Sequence, residues 1–450
     1  MKLHHIAIAA AFAAAGTSSF ATDFYLSGSS ALQKVVVTAI GQNCSNVVTY
    51  NGVNGSAASG PLDNANGQSY TRYTCTASAT NTWAVTSGTV FDIYMNTQGS
   101  AYGVFPVASN AAINFINPTS CTASGNSGTC TGVTTHAPDA GLSDLEPTMF
   151  NDASNHPVAA QPNTPVGSDP FPVLFSGQTV SASSFASSKI AATQTFGLAV
   201  NPALYAALQA DQNTTGIPTV SSAAFATIYS PGYALSGLGW KPLLANGIGG
   251  NPSNQVNICS RLPGSGTRAS AQALFLQLPF SKLGQSFATT GDNTNDSTFI
   301  SDSVGQNNAG GWAVGEYDNS GAVTGCLTST VAGGYAIGLL STDRAPSGYS
   351  FVNLDGSLAN ASAAKNGQYQ WVYEAYFQVN KAATANKTFA NAFYASLKTP
   401  ANINKLGAPS TNGVMAAVAN CPSTTATADK AVCAHVSRGG DARAALLYVQ

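Results

Sequence analysis

The stretch Val256–Arg261 (VNICSR), followed by Leu262–Thr267 (LPGSGT) and Ala269–Leu278 (ASAQALFLQL), decides the predicted fold. The first part is a short apolar run typical of a buried strand, and the last part has apolar residues at helical spacing. The proline and glycines between them predict a tight turn. Strand, turn and helix in this order are the building unit of α/β proteins.

The same order occurs near the start of the chain, where Phe24–Leu26 precedes the small residues Ser27–Ser30 and the helical pattern Ala31–Ile40. Repeated units of this kind predict an α/β fold with helices packed on a sheet. The chain has 450 residues, which is more than one core usually organises, so two lobes are expected.

The turn Arg261–Thr267 (RLPGSGT) has the chemistry of an anion site. Its glycines let the backbone approach a ligand, and the start of the following helix offers unpaired N–H groups. Ser265 and Thr267 add hydroxyl donors, and the planar fork of Arg261 can grip two oxygens. An ordinary glycine-rich turn with an exposed arginine is the alternative, and this segment alone does not decide between them.

Three other small-residue turns have a similar character: Ser27–Ala31 (SGSSA), Gln98–Gly103 (QGSAYG) and Gly141–Pro147 (GLSDLEP). The first two follow predicted strands, and the carboxyl ends of strands are where ligands bind in open α/β sheets. The third brings a carboxylate, Asp144. Its alternative role is a helix cap, in which Ser143 or Asp144 accepts hydrogen bonds from first-turn amides.

Composition and the N-terminus restrict the class of protein. The formal net charge is −2 and only 8% of residues are charged, so the basic surface that nucleic acid requires is absent and no nucleic-acid partner is expected. A lysine, an apolar run over residues 6–15 and the small residues before Ala21 predict a signal peptide over residues 1–21. No later apolar run is long enough to span a bilayer. A periplasmic or extracellular protein that is neither lipid-anchored nor inserted in the membrane is expected.

The eight cysteines are even in number, and the predicted export places them in an oxidising compartment, so disulfides are expected. Pairing close neighbours in the chain gives Cys44–Cys75, Cys121–Cys130, Cys259–Cys326 and Cys421–Cys433. A metal site is the alternative, but no CxxC or HxxxH spacing supports it, and none is predicted. Two polar stretches that carry cysteines, about residues 45–90 and 110–138, are predicted to be disulfide-tied insertions.

Taken in order, the four turns resemble those of the phosphate-binding receptors of ABC importers, in the periplasmic binding protein superfamily. Arg261 and the Ser-Gly-Thr four residues later match the family's phosphate-gripping segment, and GLSDLEP matches the loop whose aspartate accepts the proton of the anion. The resemblance implies that the phosphate-binding residues are Ser29, Ser30, Ala31, Ser100, Asp144, Arg261, Ser265, Gly266 and Thr267. The family usually has threonine where Ala31 stands, which removes one hydroxyl donor.

The resemblance extends over most of the chain, through FGLAVN (residues 196–201), FVNLDG (residues 351–356) and the returning strand within residues 369–379. It implies a two-lobed type II periplasmic binding protein fold, in which each lobe is a mixed sheet flanked by helices and the ligand lies in the interlobe cleft. Residues 22–193 with 369–450 are expected to form lobe 1, and residues 194–368 lobe 2.

The expected function is therefore capture of a small oxyanion, phosphate first, for delivery to the permease of an ABC importer by a monomeric receptor without a cofactor. The alternative is an extracellular or surface-associated interaction protein that keeps the scaffold and uses its insertions to contact a partner. A hydrolase is not expected, because the sequence has no GxSxG nucleophile elbow and its histidines lie in no recognisable catalytic context. No catalytic residue is predicted.

Overall fold

The computed structural model describes residues 23–53, 62, 69–156, 175, 177–230, 239–246, 256–277, 312–317, 319–329, 334–343, 345–407 and 413–449. The predicted signal peptide lies outside these residues. None of the described helices combines the length and the apolar character needed to cross a membrane.

The described elements alternate between strands and helices through most of the chain. The strands are β1 (Asp23–Gly28), β2 (Cys44–Asn51), β3 (Tyr70–Ala77), β4 (Val90–Asn96), β5 (Ile113–Ile116), β6 (Cys121–Ser124), β7 (Ser127–Cys130), β8 (Val133–His136), β9 (Ala140–Ser143), β10 (Ser187–Val200), β11 (Thr219–Val220), β12 (Val256–Arg261), β13 (Trp312–Tyr317), β14 (Ala336–Ser341), β15 (Ser350–Phe351), β16 (Asn353–Leu354), β17 (Val372–Val379), β18 (Val414–Met415), β19 (Val436–Ser437) and β20 (Leu447–Tyr448). The helices are α1 (Gln33–Asn43), α2 (Phe105–Ser109), α3 (Pro202–Asp211), α4 (Ser222–Tyr229), α5 (Gly266–Leu276), α6 (Ser320–Ser329), α7 (Ala361–Lys365), α8 (Lys387–Leu397) and α9 (Pro400–Asn404).

A mixed sheet forms the centre of the molecule. Its strands follow the order β13-β12-β14-β10-β17-β9-β1-β4-β3-β2-β7-β6, with β15 and β18 also pairing with β10. The pairings of β12 with β14 and of β1 with β4 and β9 are parallel, whereas β10 and β17 are antiparallel. Parallel strands need crossover connections, which helices supply. The predicted α/β class, a large mixed sheet flanked by helices, is confirmed.

Strand β12 and helix α5 realise the strand–turn–helix unit predicted from VNICSR-LPGSGT. Every residue of β12 is buried, as expected for a strand with neighbours on both sides and cover on both faces. The helix begins at Gly266, three residues before the predicted start, because the side chain of Ser265 caps it by accepting from the N–H of Arg268 at 3.4 Å. The turn is therefore shorter than expected, and Gly266 and Thr267 belong to the first turn of the helix.

Strand β10 is the longest described strand, with 14 residues. Its first part, Ser187–Thr195, pairs with β17, and its second part, Phe196–Val200, pairs with β14. It therefore joins the part of the sheet that contains β1, β4 and β9 to the part that contains β12. This is the pairing expected of a strand that runs from one lobe into the other. The residue limits of the two predicted lobes stay a prediction.

Two large apolar clusters pack on the sheet. One packs α1 and α8 against β1, β4 and β17, around Phe24, Ile93 and Phe393. Another surrounds β12, β14 and the second part of β10, and includes Trp240 and Trp371, both fully buried. This second cluster also extends to Tyr94 of β4 and Phe115 of β5. Both clusters remove apolar surface from water, which is the main favourable contribution to stability.

All four cysteine pairs form as predicted from their order in the chain: Cys44–Cys75, Cys121–Cys130, Cys259–Cys326 and Cys421–Cys433. The first joins β2 to β3, and the second closes the β6–β7 hairpin. The third joins β12 to helix α6. The strand that carries Arg261 at its end is thus covalently tied to the helix whose first residue is Ser320.

Removing the Cys259–Cys326 bond should destabilise the protein more than removing Cys121–Cys130. The two bonds close loops with sequence separations of 67 and 9 residues, and a longer closed loop restricts the unfolded chain more. The loop-entropy relation gives losses of about 4 and about 3 kcal/mol in the free energy of unfolding. Urea unfolding of the two double Cys→Ala variants measures both values, and a smaller loss for Cys259–Cys326 would contradict the expectation.

Candidate functional site

Three of the four predicted turns meet because the strands before them are parallel neighbours. Strand β1 pairs with β4 on one side and with β9 on the other, and Ser27 lies opposite both Asn96 and Gly141. The chain after each strand therefore emerges at the same edge of the sheet. Ser29 and Ser100 follow β1 and β4 at this edge, and Asp144 follows β9.

Asp144 is the centre of these contacts. One carboxylate oxygen, Oδ1, accepts a short hydrogen bond from Ser29 Oγ, and the backbone N–H of Asp144 donates to Ser100 Oγ at 3.0 Å. Ser29 Oγ also accepts from the N–H of Ala31 at 3.1 Å. The carboxylate therefore does not cap a helix, and the alternative interpretation of GLSDLEP is wrong. Ser143 does not cap one either, since its hydroxyl donates to the carbonyl of Leu145 at 2.6 Å.

The fourth turn, Leu262–Ser265, packs directly on this group. The N–H of Ala101 donates to the carbonyl of Gly264 at 2.9 Å. A Cβ atom at Gly266 would lie 2.4 Å from Ser100 Oγ and 2.5 Å from Asp144 Oδ2. Only glycine allows the first turn of helix α5 to approach the carboxylate so closely. The four segments that were predicted to converge are thus together in the folded chain.

Arg261 is 2% exposed, although the alternative interpretation of its segment required an exposed arginine. Its Nε donates to the carbonyl of Tyr317 at 3.3 Å and its Nη1 donates to Ser320 Oγ at 3.1 Å. These contacts hold the side chain in place, and its charge lowers the pKa of Asp144. The neighbouring Arg268 forms an ion pair with Glu316. Arg261 therefore supplies the positive charge beside Asp144.

The hydroxyl of Thr267 is fully buried and makes no hydrogen bond within the described residues. A buried hydroxyl without a partner is costly, so such groups in folded proteins usually meet a water molecule or a ligand. Ser265 is also buried and caps helix α5 through its oxygen, which leaves its O–H able to donate. Ser30 is partly exposed, and Ala31 is buried and offers only backbone groups.

Burial raises the pKa of Asp144 from 3.8 to about 6. The hydrogen bond from Ser29 and the charge of Arg261 act in the opposite direction, and the charge of Asp343 raises the pKa further. Sequence reasoning missed Asp343, which is 2% exposed and lies two residues beyond the end of β14. Lys34 Nζ, on helix α1, donates to the backbone carbonyl of Asp343 at 2.9 Å. Asp343 follows an apolar run at the end of a strand, and this position was the signal that could have identified it.

Replacing Gly266 by alanine should weaken anion binding by about 10-fold or more, because the new methyl group must displace Ser100 or Asp144. Calorimetric titration with phosphate measures the effect. Gly325→Ala is the matched control, since a Cβ atom there meets nothing within 4 Å. Equal affinities for the two variants would show that the close approach at Gly266 has no role in binding.

Comparison with known proteins gives structural likenesses only. No protein-family model and no curated protein matches the sequence. A Clostridium perfringens protein described as a phosphate ABC transporter substrate-binding protein, solved with bound phosphate, has 13% identity and a TM-score of 0.43, with coverage of 87% of this chain and 98% of that one. An ABC-type phosphate transport receptor from Vibrio cholerae has 11% identity and a TM-score of 0.37, with coverage of 85% and 96%. PstS from Borrelia burgdorferi has 10% identity and a TM-score of 0.36, with coverage of 86% and 98%. What this chain binds has to be inferred from its own side chains.

Proposed function

We propose that the chain is a non-enzymatic binding protein that captures a small tetrahedral oxyanion, phosphate in the first place. The observation that carries the proposal is the convergence of Ser29, Ser100, Asp144 and Gly266 at one edge of the sheet, with Arg261 buried beside them. The resemblance of these four turns to those of phosphate receptors supports the same ligand.

The donors at this site suit an anion with several oxygens. Thr267 offers a buried hydroxyl without a partner, the first turn of helix α5 offers backbone N–H groups, and Arg261 offers charge. Helix N-termini favour anions because their first amides are unpaired and the helix dipole is positive there. Burying an anion is costly unless its oxygens find donors, so a site rich in donors is selective for a ligand that uses all of them.

Asp144 makes hydrogen phosphate a better ligand than sulfate. A carboxylate can accept a hydrogen bond from the P–OH group of hydrogen phosphate, whereas sulfate is fully ionised at neutral pH and has no proton to offer. Two like charges at close range in a buried site repel strongly. Arsenate has the same protonation pattern as phosphate and should be excluded less than sulfate.

Several contacts argue against serine hydrolase chemistry at this site. Ser29 donates to a carboxylate, and Ser100 accepts from a backbone amide. The three histidines among the described residues lie elsewhere: His136 stacks on Tyr25, His156 packs on Phe105 and His435 packs on Tyr448. The serine–histidine pair of a serine hydrolase needs a histidine within hydrogen-bond reach of the nucleophile, and none of these three histidines contacts Ser29 or Ser100. A stable binding site is the better explanation of the same residues.

Export and delivery to the permease of an ABC importer complete the proposal. Export rests on the sequence of residues 1–21, and delivery rests on the resemblance to receptors of such importers. Lobes formed by residues 22–193 with 369–450 and by residues 194–368 would close on the ligand by a hinge motion. The described part of the chain supports this division through β10, which pairs with β17 in one half and with β14 in the other.

Calorimetry on the purified protein, stripped of bound anion by partial unfolding and dialysis, tests the proposal. Phosphate is expected to bind at one site with micromolar or tighter affinity, and sulfate much more weakly. Phosphorus analysis of the protein before stripping should give close to one phosphorus per chain. No heat with phosphate from a refolded sample, with secondary structure verified by circular dichroism, would refute phosphate as the ligand.

A further inference from the structure

A cavity lies between the C-terminal half of helix α5, the segment before β17 and the C-terminal hairpin of β19 and β20. Its volume is about 670 Å³, within the range of small-molecule sites. Leu274 and Leu446 contribute apolar surface to its wall, and Gln277 and Gln370 contribute amides. The oxyanion site is at the opposite end of helix α5, so this cavity has no part in it.

Arg438 supplies the buried charge of this cavity, whereas Arg443, which also lines it, is exposed and pairs with Asp441. Arg438 is 7% exposed, and its guanidinium donates only to backbone carbonyls: Nε to Val372 at 3.0 Å, Nη1 to Ala444 at 2.6 Å and Nη2 to Gln370 at 3.0 Å. The guanidinium also lies 4.5 Å from the centroid of the Tyr373 ring. No ion pair among the described residues includes Arg438. The side chain is firmly placed, but its charge has no direct anionic partner.

The acidic groups around the cavity are engaged elsewhere. Glu374 Oε1 accepts from Ser437 Oγ at 2.6 Å and from the backbone N–H of Arg438 at 2.7 Å. Glu146 accepts from the N–H of Ala442 with both oxygens at 3.0 Å, and Asp441 pairs with Arg443. Since none of these carboxylates contacts the guanidinium, a buried cation remains that a ligand anion can pair with.

Tyr373 provides a second polar group. Its ring lines the cavity and is 2% exposed, and its hydroxyl has no hydrogen-bond partner within the described part of the chain. Burial raises the pKa of Tyr373 to about 12, so the hydroxyl is protonated at neutral pH and is a donor. A buried donor beside a buried guanidinium favours an acceptor with negative charge.

We propose that this cavity binds a small organic anion with an apolar body, whose anionic group pairs with Arg438 and takes Tyr373 Oη as a further donor. The apolar body lies against Leu274 and Leu446. Inorganic phosphate does not satisfy this site, because it has no apolar surface to cover the leucines. The proposal is independent of the ligand of the oxyanion site.

Calorimetric titration of the full chain with 2-naphthoate, in saturating phosphate, tests the proposal. One naphthoate should bind per chain, and neutral 2-naphthamide should bind at least about 10-fold more weakly, because it cannot pair with the cation. Arg438→Gln should lower naphthoate affinity by a similar factor. Arg261→Lys should leave naphthoate binding unchanged. No naphthoate binding, or equal affinity for the amide, would overturn the proposal.

Because the Arg438 guanidinium donates to three backbone carbonyls, Arg438→Gln can fail to fold. A variant in the cavity wall then tests the proposal. Leu274→Trp fills the cavity from its wall and leaves Arg438 in place, so it should reduce naphthoate binding at least about 10-fold. Leu276→Trp, on the same helix but outside the cavity wall, is the matched control and should bind like the parent. Unchanged binding in Leu274→Trp would place naphthoate somewhere else and overturn the proposal.

Discussion

Replacing Arg261 by alanine is expected to lower phosphate affinity by about 100-fold or more, since removing a buried charge that pairs with a ligand costs about 2–5 kcal/mol. Arg261 is 2% exposed, and its charge lowers the pKa of Asp144, so it acts within the site. Without it, the site would contain the carboxylates of Asp144 and Asp343 and would lack the positive charge that lowers the pKa of Asp144. Calorimetry on the stripped variant measures the loss.

Folding must be separated from binding in this experiment, because Arg261 also donates to Tyr317 and Ser320. Arg261→Lys keeps the positive charge and loses the planar fork that can hold two oxygens. It should bind phosphate more weakly than the parent and more tightly than Arg261→Ala. Arg443→Ala, which removes an exposed arginine, is the control. Parent-like phosphate affinity in a folded Arg261→Ala variant would rule out this arginine as a ligand.

The sequence allowed the local units and their chemistry to be predicted, because each depends on neighbouring residues. VNICSR is a strand, a turn and a helix follow it, and the disulfides follow from the order of the cysteines. The start of helix α5 was predicted three residues late, because the apolar spacing begins at Ala269 while the cap is made by Ser265. A polar cap carries no apolar signal, so periodicity alone does not find it.

Contacts between distant segments could be predicted only from the resemblance. The donation from Ser29 to Asp144 joins residues 115 positions apart, and the N–H of Asp144 reaches Ser100 across 44 positions. No pattern along the chain indicates that residues with these sequence separations are in contact. The position of Asp343 after an apolar strand marks it as a candidate, but only the folded chain shows that it is close enough to raise the pKa of Asp144. The parallel pairing of β1 with β4 and β9 explains why these segments meet.

Asp144→Asn is expected to remove most of the discrimination between phosphate and sulfate at pH 8. The neutral amide no longer repels sulfate and can donate a hydrogen bond to it, so sulfate affinity should rise by about 100-fold, an energy of about 3 kcal/mol. Phosphate affinity should fall, because the amide is a weaker acceptor for the P–OH proton than a carboxylate. Calorimetry with both anions measures the ratio of phosphate affinity to sulfate affinity. Asp441→Asn, at an exposed carboxylate, should leave it unchanged.

The pH dependence of the parent protein tests the same role without a mutation. The pKa of Asp144 is about 6 in the folded chain, above the usual 3.8, so its buried carboxylate destabilises the ligand-free protein at pH 8. This cost begins to fall as the pH drops below about 6, where the folded chain takes up the proton, and it is gone only below the usual pKa of 3.8. Sulfate affinity of the parent should therefore rise between pH 8 and pH 5, whereas that of Asp144→Asn should stay nearly constant. The variant should also exceed the parent in ligand-free thermal stability at pH 8, and this advantage should shrink as the pH falls from about 6 toward 4. A parent whose sulfate affinity does not change across this range would mean that Asp144 is not the group that excludes sulfate.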